Sequence, residues 1–288
     1  MSKPKSIDTL IDDMYGVFDK PNVSEEQIEE FGKEVSRVMA DALTERGPPT
    51  LRMSSIGQPC MRKLYYEINH PEDAEPLTGK DKYKFLIGHL IESIALFLAK
   101  VSGHKVEGQQ DTQEIAGIKG HRDAVIDGRL VDVKSASPFS FEKFKSGKLK
   151  QDDAFGYSDQ IQSYLHAGQK DPLITDKDKA SFLVVQKVSG EMCLDTHEIE
   201  DVDFEKVYEY RKSIVAADEP PARAFEPIPE GKSGNMKLGI NCSYCPFKSK
   251  CHPGLRLFLY SNRPVWLTEV VKEPKVPEVV DGVVITKE

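Results

Sequence analysis

The stretch Ile118–Ala136, IKGHRDAVIDGRLVDVKSA, leaves little local choice of fold. Asp127-Gly128 is a two-residue hairpin turn, because the favoured turn needs positive φ at both central positions. The flanking residues are rich in Val, Ile and Leu, so they read as two antiparallel strands. Counting pairs outward from the turn puts Ile126 opposite Arg129 and Asp123 opposite Asp132. Two carboxylates facing each other across a ladder repel and cost sheet stability. A hard divalent cation reverses that penalty, because such ions take carboxylate oxygens. Lys134 follows Asp132 on the same strand face, where an ammonium can orient a water or steady a phosphate oxygen. The Val133 carbonyl between them is a further candidate ligand. The competing reading is a solvated hairpin with scattered charges. The facing register and the apolar flank of Ala124, Val125, Ile126, Leu130 and Val131 speak for a site.

With 288 residues the chain is long enough for one large domain or two small ones. No apolar run approaches the roughly 18–20 residues of a membrane span, and the N-terminus lacks the apolar core of an export signal. A soluble, cytoplasmic protein is expected. Helical spacing of Ile28, Phe31, Val35, Val38, Met39 and Leu43 predicts a helix over 25–46, capped by Ser24 and stopped by Gly47-Pro48-Pro49. A short helix carrying Tyr65 and Tyr66 follows loop chemistry in 54–68. A strongly apolar helix over 82–101 is expected to be mostly buried. The segments 105–115, 118–126 and 129–136 read as strands, and 157–168 as a helix closed by Gly168. The segments 180–187 and 191–197 read as a hairpin around Ser189-Gly190, followed by a helix over about 202–217. From Glu219 the chain is rich in Pro and Gly, and a polar tail is expected after Pro264. The pattern is an α/β core, a mixed central sheet flanked by helices, with appended ends.

Net charge is −8, which argues against a binder of nucleic acid driven by charge alone. The average hides a gradient. Residues 1–48 hold 11 acidic and 6 basic side chains, whereas 221–264 hold 7 basic and 2 acidic. Phe141–Lys150 carries four lysines and one glutamate, a candidate backbone contact together with Arg62 and Lys63.

Five cysteines are too few for a disulfide scaffold, and Cys242, Cys245 and Cys251 crowd together. Such spacing in a cytosolic chain points to metal. Three thiolates want a fourth ligand, and Cys60 and His252 are the candidates. Cys193 sits in an apolar strand and reads as a packed thiol. The residues themselves leave zinc and iron–sulfur both open.

Asp123 with Asp132-Val133-Lys134 resembles the signature of the PD-(D/E)XK nucleases, with Asp132 in the D/E position. Gln160 and Tyr164 resemble the Q-x-x-x-Y mark of the RecB-like exonuclease branch, and their spacing shares one helical face. Gly88-His89-Leu90-Ile91-Glu92 resembles the G-x-x-x-(H/E) element that precedes the core. Glu92 there takes the metal-binding position, and His89, one turn earlier, either shares the site or is a satisfied core histidine. Cys60, in QPCMRKLYY, resembles the C-x-R-x-x-Y-Y element of CRISPR-associated RecB-like, AddB-type and phage nucleases. The resemblance covers about 50–255. It implies a restriction-endonuclease-like fold and a DNA exonuclease dependent on Mg²⁺ or Mn²⁺. Asp123, Asp132, Glu92, His89 where it shares the site, and the Val133 carbonyl would hold the metal. Lys134 would be catalytic, and Gln160 and Tyr164 would set the strand or brace Lys134. It further implies a [4Fe–4S] staple on Cys60, Cys242, Cys245 and Cys251, with zinc as the other chemistry. DNA, single-stranded or with free ends, is the implied partner. The resemblance further implies other recombination or replication proteins and an oligomer as partners, in a bacterial or phage-encoded setting. The expected division is an acidic helical segment 1–48, a nuclease domain 50–255 and a tail 256–288. Two readings of other kinds stand beside it: a catalytically silent DNA-binding scaffold, and a regulatory protein stapled by zinc.

Overall fold

The computed structural model describes residues 5–44, 47–261, 263–280 and 282–286. It divides into two compact units: Met1–Gly57 with Leu77–Glu209, and Gln58–Pro76 with Tyr210–Glu288. Among the described residues no helix is long and apolar enough to cross a membrane.

The first unit is built on a five-stranded sheet. Its strands are β1 (Val106–Glu107), β4 (Ala124–Ile126), β5 (Arg129–Ala136), β6 (Lys179–Gln186) and β7 (Met192–Glu198), in the order β1-β4-β5-β6-β7, while β2 (Thr112–Ile115) and β3 (Ile118–His121) pair separately. The β5/β6 pair is parallel and the other pairs are antiparallel. This is the mixed central sheet flanked by helices that the sequence pattern predicts.

Alternation along β5 sorts its side chains to two faces. Leu130 and Ala136 pack in one core with Phe141, Phe144, Ile161 and Tyr164, from the helices Pro138–Lys145 and Tyr157–Ala167. Val131 and Val133 pack in the other with Ala95, Leu96 and Ala99 of the helix Gly79–Val101. Asp132 and Lys134 therefore project on the face of the helix that carries Gln160.

The expected strand over 118–126 is broken at Arg122-Asp123, so β3 and β4 belong to different sheets. Arg122 explains the break. Its guanidinium is buried and donates to Asp111 at 2.6 Å, to Asp171 at 2.5 Å and to the Gly108 carbonyl at 3.0 Å. Those bonds draw the chain out of the ladder at this point.

Other expectations also shift. The helix expected over 25–46 spans Glu25–Leu43, with a capping box of Ser24 and Gln27, and positions 45 and 46 lie outside the described residues. The helix Gly79–Val101 is not buried all round, because Tyr83 (63%), Phe85 (49%) and Ile94 (45%) are exposed. The N-terminal segment is not a separate appendage: a helix spans Leu10–Asp19, and Ile7, Leu10 and Met14 lie in the core beside Ala95 and Ala99.

The second unit contains the helix Met61–Asn69, the short helices Ile240–Ser243 and Lys248–Cys251, and a six-stranded sheet. Its strands are β8 (Ile228–Pro229), β9 (Met236–Lys237), β10 (Arg256–Tyr260), β11 (Arg263–Glu269), β12 (Glu278–Val280) and β13 (Val283–Ile285). The segment expected as a polar tail thus supplies four strands. Phe258 and Leu267 are fully buried there, and Arg256 is held by Glu278 at 2.7 Å and Glu273 at 2.7 Å.

Candidate active site

Asp132 and Lys134 come from consecutive outward positions of β5. The Lys134 ammonium lies 2.7 Å from Asp132 Oδ2. Gln160, one turn into the helix Tyr157–Ala167, ties the pair together: its Nε2 donates to Asp132 Oδ1 at 3.3 Å, and its Oε1 accepts from Lys134 Nζ at 3.3 Å. The expected direct pairing of Asp123 with Asp132 is replaced by a different contact. Ladder pairing stops at Ala124 opposite Val131, and Asp123 Oδ2 accepts the Val133 N–H at 2.7 Å. The break at Arg122 frees Asp123 to turn its side chain toward β5.

The electrostatics follow from this crowding. Burial holds the Asp123 carboxyl well above the ordinary carboxylate range, and the charges of Asp132 and Glu92 push it the same way. Burial also raises Asp132, against the pull of Lys134 and with a further push from Glu92. Burial works against the Lys134 charge, but the Asp132 and Asp123 carboxylates outweigh it and hold the ammonium above its usual value. The pair is largely buried, with side-chain exposures of 18% for Lys134 and 10% for Asp132.

Glu92 is half-buried and partnered rather than isolated among apolar residues: Gln110 Nε2 donates to its Oε1 at 2.8 Å. His89 is exposed rather than a core histidine, with its Nδ1 3.9 Å from Glu92 Oε2. Tyr164 is buried at 4% exposure. Burial first, then the Asp132 and Asp123 charges, raise its phenol far above the usual value, and it reaches the His121 backbone. Gly120 makes room for it, since a Cβ there would lie 2.5 Å from the Tyr164 hydroxyl.

Sequence reasoning missed three residues. The Tyr157 ring lies 4.8 Å from Lys134 Nζ and the Phe182 ring 5.7 Å, so the ammonium is boxed by aromatic faces. Tyr157 shares a helix face with Gln160 and Tyr164, a spacing that could have found it. Gln110 takes positive φ (57°), and its N–H reaches the Asp123 carbonyl at 3.4 Å while its side chain holds Glu92. Nothing in the sequence marks it.

The helix Tyr157–Ala167 is set by Asp153, whose carboxylate accepts from the N–H groups of Tyr157 at 3.0 Å and Ser158 at 2.7 Å. Its entry is set by Gly156, at φ 72°. A Cβ on Gly156 would lie 1.9 Å from the Gly57 carbonyl oxygen, and one on Gly57 would lie 1.8 Å from that of Gly156. Only paired glycines allow the two backbones to touch.

A divalent cation fits these residues. Asp132 Oδ2 is buried without a well-oriented hydrogen bond, although Lys134 is close. Asp132 and Asp123 both act on the one ammonium, and the charge of Glu92 bears on both carboxyls, which leaves negative charge that a cation would neutralise.

The second candidate centre lies in the other unit. Cys60, Cys242, Cys245 and Cys251 line one cavity of about 30 Å³ with Arg62, Lys63, Arg223, Lys248 and His252. Cys60 caps the helix Met61–Asn69, its sulfur accepting the Lys63 N–H at 3.4 Å. Burial raises the Cys242 thiol, as do the neighbouring thiols of Cys60 and Cys251, and burial pushes Cys245 up to about 11. Four sulfurs are the kind of donor set a soft metal takes, and the cations around this cavity suit thiolate charge. Among the described residues, the ligating group whose atoms fall within 4.8 Å of one another is His70, Glu72 and Asp73. Neither the cysteine sulfurs nor the carboxylates of Asp123, Asp132 and Glu92 form such a group. Cys193 is a packed thiol, as expected, pushed up to about 12 by burial.

The basic residues expected to touch nucleic acid have partners inside the protein. Lys143 pairs with Asp152 at 2.5 Å and Lys145 with Glu191 at 2.5 Å, and Lys150 pairs with Glu200. Arg62 donates to the Pro221 carbonyl at 2.7 Å, and Lys63 pairs with Glu67 at 3.2 Å.

No family model and no curated protein matches this chain. Among solved structures, it resembles the protein SSO0001 at 14% identity and a TM-score of 0.40, over 78% of this chain and 96% of that one. It also resembles an alkaline exonuclease, LHK-Exo, from Laribacter hongkongensis at 16% identity and a TM-score of 0.32, over 67% of this chain and 91% of that one. Likenesses this distant carry no argument about activity, which rests on the site itself.

Proposed function

We propose that the protein is a metal-dependent DNA nuclease of the RecB-like PD-(D/E)XK kind, acting as an exonuclease on strands with free ends. The observation that carries this reading is the crowding of the Asp123 and Asp132 carboxyls beside Lys134 at the sheet, with the charge of Glu92 acting on both. Asp123, Asp132, Glu92 and the Val133 carbonyl would hold Mg²⁺ or Mn²⁺. Such an ion supplies Lewis acidity and lowers the pKa of a coordinated water. Lys134, held by Asp132 and Gln160 and boxed by Tyr157, would offset negative charge as it develops on the phosphate. Gln160 keeps that ammonium aimed, and Tyr164 buttresses the backbone that delivers Asp123.

The four cysteines would hold a [4Fe–4S] cluster that staples the second unit. Four thiols lining one cavity support a soft metal centre, and the resemblance of the cysteine pattern favours iron–sulfur over zinc.

The test is digestion of end-labelled single- and double-stranded DNA with Mg²⁺, Mn²⁺ or EDTA. Wild type should cleave only with metal, and Asp132→Ala should not cleave. Lys134→Ala should lose cleavage by about a thousandfold, in line with loss of a main electrostatic group, while still binding DNA. Equal cleavage by wild type and Asp132→Ala would overturn the assignment.

A further inference from the structure

We infer that Phe155 is a stacking platform for an unpaired terminal base of the DNA strand entering the candidate site. Phe155 is 59% exposed, yet the backbone beside it is fixed. Asp153 holds the Tyr157 and Ser158 N–H groups, and Gly156 is pressed against Gly57. An apolar ring is thus held out toward solvent on an anchored turn.

Its position gives it an occupant. The Phe155 ring lies 5.7 Å from the Tyr157 ring at an interplanar angle of 32°, and Tyr157 lies 4.8 Å from Lys134 Nζ. A row of rings therefore runs from the buried ammonium outward, with Phe155 as its exposed end. A strand whose phosphate is at Lys134 would bring a neighbouring base within reach of that end.

A second exposed ring sits on the helix Pro138–Lys145. Phe139, 73% exposed, lies 5.0 Å from Lys143 Nζ, and Lys143 pairs with Asp152 at 2.5 Å. An exposed ring beside an ammonium, with Phe155 as a further exposed ring, suits a strand that offers flat bases and a charged backbone. A paired end offers only the outer face of its last pair and holds its bases in the duplex, whereas an unpaired base can turn onto the ring, so the row favours unpaired ends. The inference names a substrate class for the proposed nuclease and rests on that reading.

The test uses the full chain and a single-stranded oligonucleotide with 2-aminopurine at its end, with Ca²⁺ replacing Mg²⁺ so that the strand persists. Stacking on a ring quenches the probe. Wild type should quench it, Phe155→Ala should lose the quench and bind about tenfold more weakly, and Phe155→Trp should restore both. With Mg²⁺, Phe155→Ala should raise KM for single-stranded ends by a similar factor, with a smaller change on blunt duplex. A thermal melt of Phe155→Ala matching wild type excludes a folding defect. If Phe155→Ala quenches and binds like wild type, the inference is overturned while the nuclease reading stands. If wild type does not cleave with Mg²⁺ or Mn²⁺, the nuclease reading fails, and the quench still decides the stacking.

Discussion

Asp123 accepts the backbone N–H of Val133 through its side chain, at 2.7 Å. One candidate metal ligand therefore completes the hydrogen bonding of the strand that carries the other. The carboxylate is fixed by the sheet rather than by a flexible neighbour, which suits a group that must hold an ion in place.

The charge crowding predicts a stability cost in the metal-free protein. The folded Asp123 carboxyl is raised, chiefly by burial and then by Asp132, so the folded state keeps a proton that the unfolded chain has released. Stability then falls as pH rises from the ordinary carboxylate range near 4 through the raised value. Asp123→Asn should remove this loss and raise Tm by several degrees near neutral pH, with little gain near pH 4. Added Mg²⁺ should stabilise wild type and not the variant. Differential scanning fluorimetry across pH, with and without metal, measures both.

Gln110 holds Glu92 from a backbone at positive φ. Gln110→Ala should weaken metal binding by about 10–100-fold, as loss of a ligand's supporting hydrogen bond does elsewhere. Cleavage should recover at high Mn²⁺. Titration of activity against metal concentration shows whether the loss lies in affinity.

The contact of Gly57 with Gly156 admits no side chain. Gly156→Ala meets both the carbonyl of Gly57 and an unfavourable positive φ. It should destabilise the protein by about 3 kcal/mol and lower activity through the displaced helix. Urea denaturation reads the first effect.

The cysteine centre should be sensitive to acid. Burial holds the Cys242 thiol up and pushes Cys245 to about 11, so metal loading must displace protons from both. Occupancy should therefore fall as pH is lowered. Protein purified without oxygen should be brown, and Cys245→Ser should lose the colour and melt at lower temperature. Iron and sulfide assays with a melting curve check this.

Much of the site was legible because its chemistry sits on regular elements. Asp132 and Lys134 follow from strand alternation, and Gln160 and Tyr164 from helical spacing. The facing of Asp123 and Asp132 was not, because the buried Arg122 takes its partners from Asp111 and Asp171, which no local pattern announces. Ile7, Leu10 and Met14 have helical spacing, but nothing local shows that they pack against Ala95 and Ala99. The strands after Lys237 are short and punctuated by Pro and Gly, and their pairing across distant segments leaves little periodicity.

The paired glycines also bear on how the molecule comes to be folded. Residues 57 and 156 are far apart in the chain, so their meeting is a long-range contact that carries a large loop-closure cost. Tyr157, the next residue, can settle over Lys134 only once that meeting has happened. The sheet with Asp132 can thus form before the lysine is boxed, and the competent site is expected among the last features of this unit to appear during refolding.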